Sequence, residues 1–100
     1  MRYRDRWERW LRAHVESLAV PAGVDVVTMW AVAMMLASYA SASGGDICVS
    51  VDAIRSTLGI RKEKVVRIVS WLDEAGIVVV VTKHCRGSPT QRALAIPEHE

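Results

Sequence analysis

Arg61, Lys62, Lys64 and Arg67 fall within seven residues and meet a single acid, Glu63, while Lys83, Arg86 and Arg92 fall within ten and meet none. Cations at this density suit a polyanion, because each one that pairs with a phosphate releases a condensed counterion. A third basic block opens the chain, with Arg2, Arg4, Arg6, Arg9 and Arg12 against Asp5 and Glu8. Residues 25–60, by contrast, hold Asp25, Asp46 and Asp52 against Arg55 alone, so the formal net charge of +2 is segregated rather than spread. Three ordinary solvated faces would give the same count. What distinguishes the two cases is whether the cations share a surface.

Other chemistries find less material. His14, His84 and His99 are scattered, no paired carboxylates share a helical face in an apolar setting, and no Gly-rich phosphate loop follows a strand, so catalysis is not expected. Cys48 and Cys85 lack a spacing suited to zinc, since His84 beside Cys85 gives adjacent side chains rather than a chelating loop. Both cysteines are expected to be free thiols, and no metal, cofactor or small-molecule substrate is implied. The apolar run from Val26 to Ala40 is broken only by Thr28 and Ser38, yet it falls short of the roughly 20 residues a membrane span needs. It reads as a buried core helix, with no membrane partner. The first residues alternate Arg with acid instead of forming a secretory signal, and a cytoplasmic location is expected.

A chain of 100 residues, 51% of them apolar, has enough material for one compact domain and too little for two. Trp7, Trp10, Leu11, Val15 and Leu18 recur at spacings of three and four, predicting an amphipathic helix within residues 1–20 whose other face is charged. Pro21 and Gly23 break it. Asp25 is placed to cap a second helix, from about Val26 to Ser41, that is apolar almost all round and therefore central. A Ser- and Gly-rich stretch to Asp46 ends it, and Ile47–Val49 is a short β-prone patch. Ser50 caps a brief third helix with Val51, Ile54 and Leu58 on one face, closed by Gly59. A fourth starts near Lys62, with Val65, Ile68, Val69 and Leu72 inward and cations outward, and ends at Gly76. Residues 77–82 are aliphatic, mostly β-branched, and read as a strand, with Ala93–Ile96 as partner and Arg86-Gly87-Ser88-Pro89 in the turn between. Residues 97–100 are expected to form a flexible tail.

Two short helices joined through Leu58-Gly59-Ile60-Arg61, the second basic and followed by a basic hairpin, have the order of a helix-turn-helix with a wing. The stretch Val51 to Val78 resembles the winged-helix domains of bacterial, plasmid and phage regulators and replication proteins. Leu72-Asp73-Glu74-Ala75-Gly76-Ile77-Val78 carries the resemblance furthest: leucine, two polar residues, a small residue, glycine, then an aliphatic strand. The likeness extends over residues 26–96 and implies an α+β winged helix-turn-helix domain, residues 25–96, with an extra N-terminal amphipathic helix. It also implies sequence-specific binding of double-stranded DNA by a small transcriptional regulator. The recognition helix, about 62–75, would lie in the major groove and the wing, 83–92, on the backbone or minor groove.

Helical spacing puts Lys62, Glu63, Val66, Arg67 and Ser70 outward, as that role requires. Lys62 and Arg67 have donors for guanine, Glu63 an acceptor for cytosine, and Val66 a surface for a thymine methyl. Arg61 and Lys64 complete the basic segment, and Lys83, His84, Arg86 and Arg92 sit where wing residues of the family meet phosphate. Two departures from the family stand out. Arg61 takes the place of the usual Ser or Thr cap, and Trp71 occupies a usually polar position, either as a contact surface or packed beneath the N-terminal helix. The Trp7, Trp10, Leu11 and Leu18 stripe would either cover the domain's own core or pair with a second copy, and a homodimer is expected. The arginine face of that helix could also touch DNA flanks. The rival reading is a protein-interaction winged helix using Val66 and Trp71, or a phage or plasmid replication or recombination accessory factor.

Overall fold

A computed structural model describes residues 3–18, 20, 22–41, 44–45, 47–82 and 91–96. Lys83, His84, Cys85, Arg86 and the tail after Ile96 lie outside them. The fold is α+β: helices α1 (Tyr3–His14), α2 (Val26–Ser38), α3 (Val51–Leu58) and α4 (Lys62–Glu74) precede an antiparallel pair, β1 (Val78–Thr82) and β2 (Gln91–Leu94). This order is compatible with a helix-turn-helix followed by a wing.

Local chemistry sets the helix starts. The Asp25 carboxylate accepts from the Thr28 amide at 3.0 Å and the Ser50 hydroxyl from the Ala53 amide at 3.1 Å, each satisfying an N–H that has no partner within its helix. Between α3 and α4 the chain reverses at Gly59, whose φ of 69° lets its amide and that of Ile60 both reach the Arg55 carbonyl. A side chain there would strain the backbone by roughly 1–2 kcal/mol. Arg61 then enters α4 with extended backbone and no side-chain cap, as its residue type dictates.

The apolar faces converge on one cluster that includes Trp7, Leu11, Met29, Leu36, Ile54, Val65, Ile68, Leu72, Ile77 and Leu94. α2 is its axis, because a helix apolar on nearly every side is stable only when neighbours cover it. β2 lies between two partners: β1 on one flank and, on the other, Ile47, which exchanges two backbone hydrogen bonds with Arg92 at 3.0 and 2.9 Å. The β-prone patch at Ile47 thus supplies a single bridge. Register shifts between Val80 and Thr82, where β1 bulges.

Three expectations are corrected. α2 ends at Ser38 rather than Ser41, with Tyr39 closing its last turn. β2 begins at Gln91, ahead of the expected Ala93, because Arg92 is the residue that bridges to Ile47. The stripe assigned to dimerisation instead covers the domain's own core: Trp7 and Leu11 are 0% exposed in it, and Trp10 and Leu18 are half-buried against it. Trp7 also donates its indole N–H to the Ile77 carbonyl at 2.9 Å, so α1 closes the domain at the start of β1. Its first turn is fixed in the same way, since the Tyr3 hydroxyl accepts from the Ile96 amide and the ring lies on Gly44. A Cβ at Gly44 would come 2.5 Å from that ring, and its φ of 89° already requires glycine.

Candidate nucleic-acid interface

On α4 the periodicity divides the residues cleanly. Val65, Ile68, Val69 and Leu72 are buried, whereas Lys62, Glu63, Val66, Arg67 and Ser70 are exposed, on an arc of about 140° at 3.6 residues per turn. The outward set expected from spacing is therefore the outward set found. Arg61 is exposed just ahead of the helix, and Lys64 is half-buried on the flank.

Among the described residues, none of Arg61, Lys62, Lys64 and Arg67 is in an ion pair; the pairs present are Arg12–Glu8, Arg55–Asp52 and Arg92–Asp73. Arg61, Glu63, Lys64 and Arg67 together line a shallow surface depression. Arg67 is exposed but not loose, because its Nη1 donates to the Ala22 carbonyl at 3.0 Å, in the connector between α1 and α2. The same connector brings Asp25 towards Lys64. Hydrogen bonds from Thr28, side chain first and then backbone, hold the Asp25 carboxyl below its ordinary range, with a small further contribution from the Lys64 charge.

Arg92 is a correction. Its Nε and Nη2 both donate to the Asp73 carboxylate at 3.2 Å, and the side chains are 18% and 25% exposed. A guanidinium spent on two parallel bonds within the fold is not a free phosphate ligand; it ties β2 to the last turn of α4. Sequence reasoning missed Asp73 entirely, although one signal was present. An acid in the last turn of a helix faces the negative end of the dipole, and such a placement calls for a cation to offset it. The Ala22 contact left no comparable trace, because any residue's carbonyl would serve.

Trp71 is half-buried against the core, so it is not the displayed indole that a contact surface would need. On the helix it stands about 140° from Val66, which is 44% exposed. The two do not form one apolar patch. Cys48 is an exposed free thiol, and among the described residues no His, Cys, Asp and Glu side chains group as a metal site would require. No described helix is long and apolar enough to cross a membrane.

No family model, curated protein or solved structure matches the chain significantly. The interface therefore rests on its own geometry.

Proposed function

We propose that the protein binds double-stranded DNA sequence-specifically through α4, as a winged helix-turn-helix acting as a small transcriptional regulator without catalytic activity. The observation that carries this reading is the outward arc of α4, where cations in no ion pair among the described residues stand on a helix anchored from behind by four buried aliphatics. A major groove about 12 Å wide admits such a helix, and α3 with its Gly59 turn holds α4 by its inner face only. Lys62, Glu63, Val66 and Ser70 then meet base edges.

Arg92 is withdrawn from the set of phosphate ligands, which reduces the expected number of ionic contacts. Binding of the full chain to a random-sequence duplex, followed across salt concentration, is the test. Log affinity is expected to fall linearly with log salt, with a slope near −0.9 for each phosphate neutralised. Absence of binding even at low salt would overturn the reading and leave the arc, with Val66 at its centre, to a protein partner.

A further inference from the structure

Arg61, at the N-cap just ahead of α4, and Lys64 and Arg67, three apart on the helix, form a ridge bordering the depression they share with Glu63. Lys62, Val66 and Ser70 lie on the other side of Glu63, across the rest of the exposed arc. The two rows differ in setting. The ridge meets the connector where Ala22 holds Arg67 by its Nη1 at 3.0 Å, whereas the second row is exposed. A Cβ on Gly23 would come 3.2 Å from the same Nη1, so the connector fits closely against this guanidinium.

Resting on the proposed DNA binding, we infer that the ridge is a phosphate rail: Arg61, Lys64 and Arg67 follow one DNA strand, while the row bearing Lys62, Val66 and Ser70 reads bases. Three cations, in no ion pair among the described residues, neutralise successive phosphates. Glu63, on the groove side, repels the backbone from that flank and keeps its carboxylate for a base amino group. The Ala22 contact pulls Arg67 away from the middle of the arc and towards the strand, reducing the side-chain freedom lost on binding. Arg67 thereby leaves the guanine-reading role that spacing alone suggested and becomes a ligand for affinity.

Two measurements on the full chain decide this: the salt dependence of binding to a random-sequence duplex, and the base preferences selected from a randomised duplex library. Arg61→Ala, Lys64→Ala and Arg67→Ala should each reduce the salt slope by about 0.9. Each should weaken random and selected duplexes by the same factor and leave the selected sequence unchanged. Lys62→Ala and Val66→Ala should instead alter the preference at individual positions. Circular dichroism confirms that each variant is folded, and Arg67→Lys, which keeps the charge, should retain the slope if Arg67→Ala is destabilised. Loss of preference at one base in Arg67→Ala, or an unchanged slope in all three ridge variants, would overturn the rail while leaving DNA binding itself intact. If the wild type fails to bind the random duplex at low salt, both readings fall.

Discussion

α1 and α4 look alike in sequence and differ in use. Each has an apolar stripe at helical spacing and a basic opposite face, but two of the α1 cations, Arg6 and Arg12, are engaged locally. Arg12 pairs with Glu8 at 2.6 Å, and the guanidinium of Arg6 lies 5.8 Å from the centre of the Tyr3 ring. At α4 no described acid pairs with the four cations, and the hydrogen bond from Arg67 to Ala22 leaves the charge unneutralised. Counting basic residues therefore does not locate a binding surface. The position of the nearest carboxylate does, since an exposed pair within one helix is worth only a few tenths of a kcal/mol to stability but uses the charge a phosphate would need.

The comparison can be broken first at Trp7. If α1 is a structural closure, Trp7→Ala should destabilise the domain by about 3–5 kcal/mol, through lost ring contacts and the indole bond to Ile77. Chemical denaturation measures this, and a loss below about 1 kcal/mol would mean that α1 is dispensable to the fold. A smaller effect is expected at the other end of α4. Asp73→Ala leaves the Arg92 guanidinium partly buried without its partner, at a cost of about 1.5–3 kcal/mol. The double variant with Arg92→Leu should recover part of this, and additive losses would show that the pair is not coupled.

The smallest effect concerns pH. The Asp25 carboxyl is held below its ordinary value in the folded chain, so its charge contributes stability above about pH 4, and this is lost as pH falls through the folded value. Asp25→Asn keeps a capping acceptor and removes the charge. The Tm difference between wild type and this variant should therefore be present at neutral pH and close in acid, and a difference that persists at pH 2 would contradict the assignment.

Much of this was legible beforehand for a physical reason. Caps at Asp25 and Ser50, the glycine turn at Gly59 and the inner aliphatics of α4 are local signals, each fixed by a few neighbouring residues. The outward arc followed from them without further information. What could not be read was the tertiary choice between equivalent local states. Trp7 on an amphipathic stripe serves a core or a dimer equally well, and only the Ile77 carbonyl decides. Arg92 reads as a cation on a basic hairpin until Asp73, 19 residues away, is found opposite it. Gly44 gave no hint that Tyr3 would lie against it.

The central claim is that α4, not α1, grips DNA. It is tested most directly by comparing Lys64→Ala/Arg67→Ala with Arg6→Ala/Arg12→Ala for binding to the same random duplex over a range of salt. The account predicts that the α4 pair lowers the slope by about 1.8 and the α1 pair leaves it unchanged. An equal or larger fall for the α1 pair would contradict it.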